Sequence, residues 1–164
     1  MVMYARSLHQ LRFSELMQVY ADSVADAASE RPDLPHGFAM ELAEQDIRQY
    51  LKDVFFKTPG AVCAIWESDG RYASALRLEP YRDGLLLAAL ETHPQFRRQG
   101  FARKLICSVQ ESLPQGTKLY SHVNKGNQPS MKTHEGCGFR AVSDHAVYLN
   151  GSVDYRCSTL LYEA

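Results

Sequence analysis

The residues best placed to do chemistry lie in one run, His93-Pro-Gln-Phe-Arg-Arg-Gln-Gly-Phe-Ala-Arg103. Arg97, Arg98 and Arg103 bring positive charge to a tight turn, with Gln99 between the first pair and the glycine. Gly100 lets a ligand approach the backbone, and Ala102 keeps the next turn thin. An amphipathic helix follows directly, with Phe101, Ala102, Leu105, Ile106, Val109 and Leu113 on its apolar face. The first N–H groups of a helix have no partner inside it, and the helix dipole favours negative charge there. The chemistry this suits is capture of a diphosphate. The run is neither a GxGxxG dinucleotide loop nor a GxxxxGK loop closed by Ser or Thr. On its residues alone, an exposed basic helix start with a convenient glycine fits equally well.

Other features bound the setting of this turn. The 164 residues are expected to form one domain, 1–164, large enough to bury a sizeable core. The net charge of −1 sets up no global field for nucleic acid or an anionic membrane, so neither is expected as a partner. The longest aliphatic run, Leu85 to Leu90, is far shorter than a membrane span. The start MVMYARSLHQLRF lacks a basic segment followed by an apolar one, so no signal peptide is expected. Cys63, Cys107, Cys137 and Cys157 form no CxxC pair. They read as reduced thiols of a cytoplasmic protein, and no metal site is expected.

The elements that must position the turn follow from periodicity. Met1 to Tyr4 reads as an edge strand. Phe13, Leu16, Met17, Tyr20 and Val24 recur at helical spacing, with Ser14 as an N-cap. Pro32 and Pro35 make Ser29 to Gly37 a loop. A second helix puts Ala43, Ile47, Tyr50, Leu51, Val54 and Phe55 on one face. Three strands follow, Ala61 to Trp66, Tyr72 to Glu79 and Leu85 to Thr92, joined by short Gly-containing turns. This spacing predicts an antiparallel meander. After the helix from Phe101, Lys118 to Val123 reads as a strand, and Pro129 opens a short helix running to about Gly136. Phe139 to Leu149 and Val153 to Tyr162 read as a last strand pair around Asn150-Gly151. The class is mixed α/β with a single, largely antiparallel central sheet and flanking helices.

The turn resembles the cofactor motif of the GNAT superfamily of N-acetyltransferases, Arg/Gln-x-x-Gly-x-Gly/Ala. Arg97, Gly100 and Ala102 fill its fixed positions. Leu90-x-Thr92-x-Pro94 resembles the strand end that precedes the family's motif, with Thr where Val is commoner. Asn127-Gln-Pro-Ser130-Met-Lys-Thr-His134-Glu-Gly-Cys-Gly138-Phe139 is similar to the family's N-x-x-S-x-x-x-Y-E-x-x-G-F segment. The order of elements matches from end to end.

The resemblance implies a GNAT-like fold in which one parallel strand pair splays apart. It implies acetyl-CoA as acyl donor and no metal. The diphosphate of coenzyme A would lie on Arg97, Arg98, Gln99, Gly100, Phe101, Ala102 and Arg103. The pantetheine arm would run along Leu90-Glu91-Thr92, with a backbone N–H there polarising the thioester carbonyl. Asn127 and Ser130 would reach the arm from the short helix, and Asn127 also reads as a plain N-cap. Many members place Tyr as acid to the leaving thiolate where this chain has His134. Two readings stand side by side: His134 as that acid, or His134 as packing with the thiolate protonated by water. The base would be His122, whose position carries Glu in some relatives, Glu91 beside the strand end, or a water chain; His122 also reads as a hydrogen-bonded sheet histidine and Glu91 as a strand-end carboxylate bound to water or Arg97. Alternation puts His122 on the face opposite Leu119 and Val123. The implied reaction is attack on the thioester by a primary amine of a small molecule or peptide. A non-catalytic acyl-CoA-binding module, or transfer from another acyl-CoA, would share the same motifs. A homodimer is compatible with the resemblance.

Overall fold

The turns at Ser68-Asp-Gly70 and Tyr81-Arg-Asp-Gly84 fold the middle of the chain into consecutive hairpins. A computed structural model describes residues 1–164. Asp69 and Gly70 both take positive φ, 50° and 74°, as a tight two-residue hairpin turn requires. Strands β2 (Val62–Ser68), β3 (Arg71–Tyr81) and β4 (Gly84–Thr92) therefore pair antiparallel in sequence order, the expected meander, and β1 (Val2–Ala5) adds antiparallel to β2 as the edge strand. β5 (Lys118–Asn124) joins β4 in parallel. β6 (Arg140–Ser143), a small hairpin of β7 (Ala146–Val147) and β8 (Val153–Asp154), and β9 (Cys157–Glu163) complete the strands. The main sheet has seven strands in the order β1-β2-β3-β4-β5-β9-β6.

Helices α1 (Phe13–Val19), α2 (Ala21–Ser29) and α3 (His36–Asp53) cover one face of the sheet. Leu16, Val19, Val24, Ala43 and Leu51 pack there on Ala5, Cys63, Ile65 and Tyr72. Helix α4 (Phe101–Ser112) and the segment after α5 (Gln128–Gly136) cover the other. Leu105, Ile106 and Val109 pack on Ala64, Leu76, Leu87 and Leu119. Period-2 alternation in β2 and β3 serves both layers, which is why β2 reads as a nearly continuous apolar run. No helix is long and apolar enough to cross a membrane.

Several local expectations are corrected. The helix expected from Phe13 through Val24 breaks at Tyr20 (φ −85°, ψ 30°) into α1 and α2. Ser14 lies inside α1 and caps nothing; Arg12 precedes the helix, and its backbone N–H donates to the Tyr72 hydroxyl at 3.1 Å. α3 ends at Asp53, so Val54 falls outside it and is exposed; Tyr50, inside the helix, is 37% exposed, with its ring against the Arg77 guanidinium. The last strand pair is interrupted. Asn150-Gly151 does turn a hairpin, but it joins only β7 and β8. β9 inserts between β5 and β6, where both its edges are paired.

Two backbone features open the site. The β4–β5 pairing runs only from Gly84–Lys118 to Leu87–Ser121, and beyond it the strands part. β4 also bulges: Ala75 faces Glu91 but Arg77 faces Ala88, so Ala89 and Leu90 together oppose Leu76, and Ala89 takes φ 50°. At the closed end, a Cβ on Gly84 would lie 2.1 Å from the Lys118 carbonyl oxygen, so the parallel pair begins where only glycine fits.

Candidate functional site

The strand end, the basic turn and the start of α5 meet around one cavity of about 820 Å³. Arg98 and Gly100 take left-handed φ values, 61° and 79°, which fold the turn back over the start of α4. The first helical bond runs from the Lys104 N–H to the Gly100 carbonyl, leaving the N–H groups of Phe101, Ala102 and Arg103 without backbone acceptors. These free donors line the cavity. Leu90, Glu91 and Thr92 form one wall, and Arg97, Arg98, Gly100, Phe101, Ala102 and Arg103 the floor. Asn127 and Ser130 form the opposite wall. Gln99 stands apart: its side-chain amide donates to the Gln95 carbonyl at 3.1 Å. Arg97 is fixed in place, donating to the Thr92 carbonyl at 3.2 Å and pairing with Asp22 at 2.8 Å. Asn127 caps α5, its side-chain oxygen accepting from the Ser130 N–H at 3.2 Å. Free N–H donors at a helix start suit an anionic group, and an open strand edge suits an amide chain.

The gap where β4 and β5 part is a second, smaller space of about 190 Å³. Ala89, Leu90, Ser121, His122, Asn127 and His134 all reach it. His122 is the direct cross-strand partner of Thr159, so the two side chains share a face. The Thr159 hydroxyl donates to the His145 carbonyl at 2.8 Å. Its oxygen therefore accepts from His122 Nδ1, 3.0 Å away. The ring proton sits on Nδ1, and Nε2 carries a lone pair. Nε2 is buried and has no hydrogen-bond partner. Burial lowers the His122 pKa below its ordinary 6.5, and the nearby Val147 carbonyl opposes this only in part. That carbonyl already accepts the Tyr81 hydroxyl at 2.5 Å. Tyr81 and Tyr148 each present a ring edge to His122, with centroids 5.4 Å away.

His134 is arranged differently. It is 1% exposed, and both ring nitrogens are engaged within the protein. Nδ1 donates to the Ser130 carbonyl at 2.8 Å, and Nε2 accepts from the Ser121 hydroxyl at 3.0 Å. Its ring stacks edge-on against Phe139. Burial lowers its pKa, so the ring is neutral near pH 7.

Glu91 turns away from the gap toward α2, where the Ser23 hydroxyl and backbone N–H bind its carboxylate. Burial raises its pKa, while Ser23 and Arg97 pull it back down. Thr159, Ser121 and Ser23 are partners that sequence reading missed, because each lies at least 13 residues from the group it holds.

Comparison with known proteins agrees with this geometry. The profile of the acetyltransferase (GNAT) family matches residues 22–139. A search of curated proteins by sequence finds no significant match. Among solved structures, an N-acetyltransferase from Staphylococcus aureus Mu50 is 14% identical with a TM-score of 0.64, covering 98% of this chain and 100% of its own. The ribosomal-protein-alanine N-acetyltransferase from Brucella melitensis is 16% identical with a TM-score of 0.61, covering 100% and 99%. An acetyltransferase from Bacillus subtilis, solved in complex with CoA, is 14% identical with a TM-score of 0.55, covering 73% and 83%. These likenesses are of fold. With the profile spanning the bulge, the basic turn and the start of α5, the chain belongs to the GNAT family of acetyltransferases.

Proposed function

We propose that the protein moves the acetyl group of acetyl-CoA to a primary amine of a small molecule or peptide by direct attack on the thioester. The observation that carries this reading is His122, which lines the gap beside the free edge of β4 and whose buried Nε2 has no hydrogen-bond partner. When bound, the donor supplies an activated acyl group. The free N–H groups at the start of α4 hold its diphosphate. The edge of β4 beyond Leu87 bonds the pantetheine arm and offers a backbone N–H to the thioester carbonyl. His122 Nε2 accepts the proton of the attacking amine, while Thr159 keeps Nδ1–H in place. The C–N bond forms, the C–S bond breaks, and the thiolate is protonated by water. The engaged, neutral ring of His134 supports packing over acid catalysis. Glu91 faces α2, which supports His122 over Glu91 as base. The unpaired thiols suit a reducing, cytoplasmic setting.

The test is thiol release from acetyl-CoA across a panel of amines, with the acetylated product confirmed by mass. Release with at least one amine is expected. Tight coenzyme A binding without release for any amine sinks the proposal in favour of a non-catalytic acyl-CoA-binding module. Release only from a longer acyl-CoA changes the donor.

A further inference from the structure

Arg77 is a half-buried cation without an anion. It stands in the middle of β3, where its guanidinium lies over the rings of Tyr50 (5.0 Å) and Phe55 (5.5 Å). Its Nε is buried with no hydrogen-bond partner, and none of the chain's ion pairs includes it. A second orphan donor stands nearby. Tyr20 is 4% exposed, and its hydroxyl has no partner. Buried polar groups are normally paired, so two unpaired donors at one place mark a site waiting for an acceptor. Tyr20 and Arg77 line the same cavity, about 300 Å³, under α2 and α3.

The rest of that cavity is mostly apolar, walled by Ile47, Leu51 and Ala89. Ala89 is the bulged residue of β4, and it also lines the gap that holds His122. Ala89 thus belongs to the lining of both spaces. Asp46 at the rim already pairs with Arg31, and Ser23 at the rim holds Glu91. Neither carboxylate is committed to Arg77.

We propose that this cavity is the acceptor's carboxylate site, and that the acceptor is a small apolar amino acid or a close analogue of one. Arg77 and the Tyr20 hydroxyl donate to the two carboxylate oxygens. The apolar body lies against Ile47 and Leu51, and the amine passes Ala89 toward His122. A single guanidinium balances a single negative charge, which selects a carboxylate over a phosphate. The inference rests on the acetyl-transfer reading for the identity of the amine as acceptor, but the site itself binds without turnover.

Calorimetric titration tests it on the full chain saturated with coenzyme A, which carries no acetyl group. Leucine, isoleucine, methionine and phenylalanine are each titrated beside their carboxamides. At least one acid is expected to bind about tenfold or more tightly than its amide. Arg77→Met removes that preference, Arg77→Lys keeps it at reduced strength, and Tyr20→Phe weakens it about fivefold. Unchanged coenzyme A affinity shows that each variant is folded. Equal binding of every acid and its amide, or binding of none, overturns the proposal, as does a preference that survives Arg77→Met. If the best acid binds through Arg77 but neither it nor any amine of the panel releases thiol from acetyl-CoA, the carboxylate site stands and the transfer reading fails.

Discussion

Thr159 sets the tautomer of His122. The two are cross-strand partners on β9 and β5, and the Thr159 hydroxyl hydrogen is already directed at the His145 carbonyl. Its oxygen therefore holds the Nδ1 proton of His122 and leaves the buried Nε2 without a partner, on a side chain that lines the gap between β4 and β5. A buried imidazole kept neutral, with one nitrogen tethered and the other free, is built to receive a proton.

The basic turn should fail when its glycine becomes acidic. Gly100 holds φ 79°, and a Cβ there meets nothing within 4 Å. Gly100→Glu therefore leaves the fold intact at a strain of about 1–2 kcal/mol. Its carboxylate, however, occupies the place of the diphosphate. Coenzyme A affinity measured by calorimetry should fall about a hundredfold or more. Wild-type affinity would remove the diphosphate from this turn.

The closed end of the splayed pair should be equally intolerant, for a different reason. Gly84→Ala drives a Cβ into the Lys118 carbonyl, which belongs to a paired strand and cannot simply swing aside. A loss of about 1–3 kcal/mol is expected, lowering the melting temperature by several degrees. Gly70→Ala, in an open turn, introduces no such contact. Equal melting temperatures for Gly84→Ala and the wild type would show that β4 and β5 do not meet as described.

Acid should destabilise the fold through its buried histidines. Burial lowers the pKa of His93, His122 and His134 below their ordinary 6.5. The unfolded chain binds these protons near 6.5 while the folded chain refuses them. Their contribution is thus fully present above 6.5 and is lost as pH falls through the folded values. Glu91 acts in the opposite sense: from 4.5 up to its raised value, the folded chain holds the extra proton, so stability there rises as pH falls. The melting temperature should drop between pH 7.5 and 5.5, less steeply in His134→Gln. A flat profile in the wild type contradicts this account.

What could be read from the chain follows the distance over which each feature is determined. The Arg97–Ala102 turn and the Asn127 cap depend on residues a few positions apart, so their spacing exposes them. The side of β5 that carries His122 follows from alternation with Leu119 and Val123, both of which are buried. The hold of Thr159 on its ring spans 37 residues and leaves no local mark. The break at Tyr20 is hidden because helical spacing continues across it. Arg77 alternates with Leu76 and Leu78 and so looks like a solvent residue. The covering α3, with Tyr50 above the guanidinium, makes its face an interior one. The Asn150-Gly151 turn is real and β6 does pair with β9, but the ladder is not continuous up to the turn: β7 and β8 pair over two residues each in a separate small sheet.

The central claim is that His122 Nε2 takes the amine proton, and the pH dependence of kcat for the wild type and His122→Gln tests it most directly. The wild type should show a limb that rises with pH to a plateau, with its midpoint below 6.5 because burial favours the neutral ring. His122→Gln should lose that limb and fall about 10²–10⁴-fold in kcat, with coenzyme A affinity unchanged. A His122→Gln enzyme that keeps the wild-type kcat and the same limb would contradict the account.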